Sequence, residues 1–526
     1  MDIMLSKGFR PTLIAVAVLA SAANAGDLQI TPSVSVDGTY SDNVELTANG
    51  KQSSYVNQVS AILDSQFTSR IAELNFNGSS TYASYTHNHD LDDSFRTLEA
   101  DGRLFLWPDG LALTANANIR NGARNGARNS LADIVSGDTI EIRNFQSGLS
   151  YNVENLKYQL NLTSNISRQT SEDNIGDNNR IETTLTSQST NSSQAIFWRI
   201  NATYSDQENN EITGRQHIVD AIVGWRTPSK INPFIRFYNE DVSGNISQPQ
   251  QNSGDATGVG ISTKLSSHLL VSASYNFVVD DEENDDYVAA TIEWEPSART
   301  SLRAEYSKRF FGDTYLLDFT HRTKRLTNSV SYNESLRAFD RNTFQRVLVG
   351  NFFCPLDFET TSNSLTDCFQ SQGATITPTD AQLVQVFEQQ LIEGNEFSLN
   401  KELSWQSQLS LARTNFDLRF SHNRRESLTT NIEDNRFDAT FEITRTISGK
   451  STASLTYNFN HTQLDKNQIR SLGQDDYYRT LSISYNRRLA RTLNSVISLQ
   501  MVDRNSSDQL LTYEETRAVI TLTKDF

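Results

Sequence analysis

The chain has 526 residues, a hydrophobic fraction of 37% and a mean hydropathy of −0.50, which excludes a bundle of membrane-spanning helices. Its formal net charge of −17 disfavours nucleic acid as a partner, since like charges repel. The length exceeds one ordinary soluble domain, yet no break in composition divides it.

At the N-terminus Lys7 and Arg10 precede the apolar run Leu13 to Ala20, followed by Ala23-Asn24-Ala25. A positive start, a short apolar core and an A-x-A site read as a signal peptide over residues 1–25, cut between Ala25 and Gly26. The run is too short to anchor in a membrane, which takes roughly 20 apolar residues. Glycine rather than cysteine after the cut argues against a lipoprotein. The leader carries off Asp2, Lys7 and Arg10, leaving the mature chain at a net −18.

From Gln29-Ile30-Thr31 onward the chain alternates, so no plug domain is expected ahead of the barrel. In Leu269-Val271-Ala273-Tyr275-Phe277-Val279 every second residue is apolar, with Ser272, Ser274 and Asn276 between. The pattern returns at Phe437 to Ile443, Ala453 to Phe459 and Leu481 to Tyr485. Successive strand residues point to opposite faces, so one face is apolar and the other wet. Short turn-rich links lie at Trp107-Pro108-Asp109-Gly110, Thr227 to Lys230, Leu265 to His268, Glu295 to Ala298 and Ile447 to Lys450. Longer polar stretches fall between them, at 121–138, 169–178, 242–253, 422–434 and 464–474. About 24 strands are expected, within roughly 18 to 26, and short links follow the even-numbered ones. The fold expected is all-β: a large up-and-down antiparallel transmembrane barrel over residues 26–526, closed because lipid offers backbone groups no partner. Trp107, Trp225, Trp294 and Trp405 adjoin short links and are expected at the periplasmic rim, with Trp198 the exception.

One insertion, residues 340–395, interrupts the rhythm. Cys354 and Cys368 are the only cysteines, and in an exported chain a disulfide between them is the default. Thr379 as N-cap, Gln382 three residues on, and Leu383, Val384, Phe387, Leu391 and Ile392 predict a short helix over Asp380–Glu393, ended by Gly394. The insertion is expected outside the cell, either as a disulfide-stapled lid or as an ordered surface loop. At the other end the chain stops at Phe526, with Ala518, Ile520 and Leu522 on the same strand face. This resembles the C-terminal insertion signal of outer-membrane barrels, from which Lys524 departs.

No motif for catalysis is present: there is no C-x-x-C-H, H-E-x-x-H or G-x-S-x-G, so no enzyme activity, metal or other cofactor is expected. His87 and His89 share a strand face and are read as a solvated rim rather than a metal site. Asp280 to Glu283 with Asp285 and Asp286 form an acidic external loop, and Asn121 to Arg128 a small tandem repeat bearing arginines that could touch an anionic glycan. The lumen is expected to include Arg303, Glu305, Arg413, Asp417, Arg419, Asp438 and Glu442 among many Ser, Thr and Asn. Mixed signs on a polar wall suit a hydrated neutral or mildly charged polymer better than a selected ion.

Residues 300–335, TSLRAEYSKRFFGDTYLLDFTHRTKRLTNSVSYNES, and the segment ITPSVSVDGTYSDNVELT from Ile30 resemble the PEP-CTERM system-associated outer-membrane β-barrel family. The block from Arg309-Phe310-Phe311-Gly312 to His321-Arg322 carries the resemblance most specifically, and the insertion departs from it. Proteins of that family are encoded with exosortase and exopolysaccharide genes, and the family supplies no catalytic residues to carry over. The resemblance implies an outer-membrane exit for exopolysaccharide, working with periplasmic export proteins, lipopolysaccharide and lipid around it, and the barrel-insertion machinery. Phe310 to Asp313 reads as a tight external turn, and His321 to Arg325 as a basic periplasmic link that could contact a partner. A passive uptake porin for oligosaccharides or other solutes, a sheath barrel around a partner protein, and a surface adhesion protein remain as alternatives.

Overall fold

The computed structural model describes residues 26–526 except 108–109, 125–133, 136–138, 191–193, 210–211, 247–251, 280–284, 340–342, 357–368, 371–380, 393–395, 430–431, 465–474 and 508–510. The expected signal peptide therefore lies outside the described residues, as do most of the acidic loop and of the arginine repeat.

Twenty-four strands form a single sheet in which each strand pairs antiparallel with its neighbours along the chain. The first strand, Gly26–Ser41, meets the last, Tyr513–Asp525, from Ser33↔Asp525 to Ser41↔Arg517. That pairing shuts the barrel. Strands run from 10 residues (Leu269–Val278) to 16 (Gly26–Ser41). A tilted span needs only about 9–11 residues, so the longer strands project beyond the hydrocarbon.

The links divide by side. Those after even-numbered strands are short, at 70–71, 155–157, 267–268, 298–299, 323–325, 411–413, 449–450 and 491–492. The other side carries longer connections, at 42–53, 86–92 and 124–138, and the insertion itself. Two external links are short, 210–211 and 310–311, and in the second Gly312 takes φ 120°, a conformation that a side chain would strain. Both Gly26 and Phe526 lie at the short-link end, which places the periplasm there.

Pairing register sets the two faces. Ile30, Val36, Val59, Val259, Ile261, Ile292, Ile483, Ile520 and Leu522 are exposed on the outer surface. An apolar band of this extent would not remain in water and is covered by lipid. Ala518, Ile520, Leu522 and Phe526 share that outer face, and the Phe526 amide donates to the Pro32 carbonyl at 2.9 Å. All five tryptophans also face outward near the periplasmic rim, so Trp198 is no exception. It is the third residue of Ile196–Asn209, and its indole N–H donates to Ser187 Oγ at 3.1 Å.

The insertion contains no helix over Ala381–Ile392. That segment is a strand, paired antiparallel with Thr343–Pro355 in a separate sheet that Phe369–Gln370 completes. The run Leu383-Val384-Gln385-Val386-Phe387 satisfies a strand period as well as a helical stripe, and a β-rich partner decided between them. Cys354 is buried, while Cys368, its expected disulfide partner, lies outside the described residues. Both feet of the insertion are fastened to the barrel. Ala338, Phe339 and Phe397 are buried with Val242, Ile246 and Phe310 in one apolar cluster at the external mouth.

The outer face makes a clean mutational contrast. Ile483→Lys, at mid-strand on the lipid side, is expected to cost about 2–4 kcal/mol. Ser484→Lys, one residue on and facing the lumen, is expected to cost far less. Unfolding from lipid vesicles in urea compares them.

Candidate functional site: the lumen

The inner wall follows from the same register. Ser454, Thr456, Asn458 and Asn460 stand opposite Ser484, Ser482, Thr480 and Tyr478. Ser454 and Ser484 hydroxyls meet at 2.7 Å, as do those of Ser331 and Ser404, and Ser60 and Thr81 meet at 2.8 Å. Asn161 donates to Thr186 at 3.3 Å. Alternation forces this chemistry, because each outward Val, Ile or Leu is followed by a residue that faces the lumen.

Six of the seven expected lumen residues face inward. Asp417, Arg419, Asp438 and Glu442 line neighbouring strands, and Arg303 and Glu305 another. Arg413 does not; it sits in the short periplasmic link 411–413, where its carbonyl accepts from the Thr446 amide at 2.8 Å. Residue type had suggested the wall, but the strand begins at Thr414.

The charges neutralise one another along the strand. Arg419 lies 2.9 Å from Asp417, Arg436 3.0 Å from Asp438, Arg180 2.9 Å from Glu182, and Arg517 2.6 Å from Glu515. Arg303 donates to Glu305 through Nε at 2.8 Å. Residues two apart share a face, so an acid and an arginine at that spacing meet above the wall. Sequence reasoning found single members of this set and missed the rule, although R-x-E, R-x-D, D-x-R and E-x-R on alternating strands would have exposed it. Arg517 and Glu515 are buried; the other pairs, exposed on the arginine side, add little stability and flatten the field inside the pore. One wall keeps an acidic bias. Asp64, Glu73, Glu99 and Asp101 face inward from adjacent strands, and Asn116 donates to Asp101 at 2.6 Å.

External loop 42–53 turns inward at the mouth, which the sequence did not signal. Val44 is buried against inward-facing Val56, Ala83 and Tyr85 and against Val135 of another loop. Leu46 packs on Tyr478, Val502 and Tyr513 across the closing seam. Asn43 fastens the turn, donating to the carbonyls of Thr47 and Glu514 at 2.9 Å each. The mouth is therefore narrower than the wall.

His87 and His89 lie in the external loop 86–92 and part company there. His87 is buried, with Glu45 3.8 Å away, whereas His89 is exposed. Among the described residues no group of three or more His, Cys, Asp or Glu is placed to hold a metal ion. Asp92 closes the loop, accepting from the Tyr85 amide at 2.8 Å and Ser84 Oγ at 3.0 Å, with His89 Nδ1 at 3.3 Å. The Tyr85 amide foremost, then Ser84 and His89, hold its carboxyl below the usual carboxylate range. A lowered value favours the closed loop above the ordinary carboxylate range and loses that benefit as pH falls through the lowered value. Acidification is therefore expected to lower the hydrogen-exchange protection factor of the Tyr85 amide, taken against the unstructured rate at the same pH, while mid-strand protection factors change little.

Residues 20–184 match the family model described as "Putative beta-barrel porin 2". Over those strands the chain is similar to porins, in keeping with the closed sheet, lipid-facing belt and wet lumen. It is a porin-like β-barrel of the bacterial outer membrane. No curated protein matches the sequence. Among solved structures, a ferric enterobactin receptor (PfeA) mutant from Pseudomonas aeruginosa aligns with 10% identity and a TM-score of 0.42, over 95% of this chain and 80% of that one. The siderophore receptor PirA from Acinetobacter baumannii aligns with 8% identity and a TM-score of 0.40, over 95% and 80%. The copper transporter OprC aligns with 8% identity and a TM-score of 0.40, over 95% and 83%.

Proposed function

We propose that this barrel is a non-enzymatic channel through which an exopolysaccharide leaves the cell. The observation that carries the reading is the lumen wall: hydroxyl and amide side chains over most of its surface, with arginines paired to acids two residues away. Such a wall exchanges hydrogen bonds with a hydrated polyol and holds no strong site that would arrest it. Transport needs binding favourable enough to enter and weak enough to leave. The resemblance of residues 30–47 and 300–335 to the PEP-CTERM-associated barrels supports the same cargo and implies periplasmic export proteins as partners. The basic link His321 to Arg325 lies at the periplasmic end, where such a partner would dock.

Deletion of the gene in its native host is expected to abolish surface polymer and leave it in the periplasm, scored by polysaccharide assay of both fractions. Normal export with an empty periplasm rejects the proposal. A passive uptake porin remains as a second reading, favoured by the same neutral wall. It predicts slower entry of oligosaccharides in the deletion strain and unchanged export.

The insertion belongs to this reading as an external lid, stapled by Cys354 and Cys368. Removing residues 345–393 is expected to raise single-channel conductance in planar bilayers while the barrel still assembles. Conductance equal to that of the full chain excludes the lid.

A further inference from the structure

A wide, water-filled barrel should leave its inward side chains wet. Beside the closing seam, inward residues such as Arg504 and Glu515 are buried among neighbouring strands; a second arc also departs from this, and in that arc the contacts span several strands. Glu240 and Val242 are fully buried, and Arg236 and Tyr238 nearly so, although all four face inward from the eleventh strand, Ile231–Gly244. Two of them, Glu240 and Arg236, reach the fifteenth strand, Thr300–Arg309. Arg309 Nε donates to Glu240 Oε2 at 2.9 Å, and its Nη2 makes the second arm of the same fork. Tyr238 donates to Glu240 at 2.6 Å. Arg236 grips Asp220 with two bonds of 2.9 Å and reaches Ser307 Oγ at 3.4 Å. Nearer the periplasm, Arg199 of the ninth strand lies 3.7 Å from Glu293 and 3.9 Å from Glu305.

Strands spaced by about 4.8 Å put the eleventh and fifteenth about 19 Å apart along the wall, too far for a direct Arg–Glu fork. The wall must fold on itself between them. The intervening strands allow it, because many of their inward residues are small, Gly254, Ala256, Gly258, Gly260, Ser272 and Ser274 among them, while Tyr287 and Val278 fill the lobe against Tyr238. A Cβ added at Gly254 would lie 3.6 Å from the Phe310 amide nitrogen, so the end of the fifteenth strand rests on the twelfth. Phe310 then seals the lobe from the external side with Val242, Phe339 and Phe397.

We infer that the ties from Arg236 to Ser307 and from Glu240 to Arg309 pinch off the lobe between the eleventh and fifteenth strands. They thereby set the pore's cross-section, and conduction runs through the remainder of the barrel. These are size-determining residues for whatever passes, and the inference depends on the pore and not on the polysaccharide cargo. Buried ion pairs rarely repay their desolvation, so a fork enclosed here serves geometry more than stability.

Two measurements test it, both on the full chain in lipid. The pair Arg236→Cys and Ser307→Cys is expected to cross-link with a short bismaleimide in outer-membrane vesicles. The pair Ser404→Cys and Thr480→Cys, also inward and four strands apart, is expected not to. Failure of the first pair, or equal reaction of both, overturns the pinch. Arg236→Ser, Glu240→Ser and Arg309→Ser together are expected to raise conductance roughly 1.5-fold or more and to admit larger neutral polyethylene glycols. Unchanged conductance and size limit in an assembled triple variant overturn the role in cross-section. Should the triple variant not assemble, the cross-linked pair decides: locking a native tie leaves conductance unchanged, and a fall in conductance counts against the inference. Failure of polymer export in the native host would touch none of these outcomes.

Discussion

Backbone hydrogen bonding in lipid governs this molecule. A strand edge in hydrocarbon leaves N–H and C=O groups without partners, each at a cost of several kcal/mol. The pairing of Gly26–Ser41 with Tyr513–Asp525 removes the last such edge, over nine residue pairs from Ser33 to Ser41. Once the sheet is closed, each residue has one of two neighbours, lipid or lumen. The apolar belt of Ile30, Val259 and Ile483 and the hydroxyl rows of Ser454 and Ser484 are two consequences of one closure.

The lumen holds charge in two ways. Along most of the wall, arginine and acid stand two residues apart, half-exposed, and cancel locally. Water screens such pairs, and a passing polymer meets little net field. Between the eleventh and fifteenth strands the Glu240–Arg309 pair runs across the lumen and is shut away from water. There a missing partner would leave a buried charge, so the arrangement holds its geometry firmly. Small residues on the strands between are what permit the approach.

Narrowing at the mouth has separate causes. Loop 42–53 reaches in through Val44 and Leu46, and the insertion is held by apolar feet against Phe310. Phe310 follows Arg309 directly, so the external anchor of the insertion and the fork to Glu240 occupy adjacent residues. Mouth and lobe thus share one short turn.

Periodicity and parity alone determined the barrel, its strand number of about 24, the periplasmic side and most of the inward residues. These depend on a two-residue repeat and on link length, which are local and readable. Local pattern failed where two periods fitted the same letters, as at Ala381–Ile392, and at a strand's first residues, as with Arg413 and Trp198. The inward loop, the fork between Glu240 and Arg309 and the folded lobe were decided only by tertiary structure. They join residues some 70 positions apart across a cavity, and no spacing along a strand encodes how far a wall will bend.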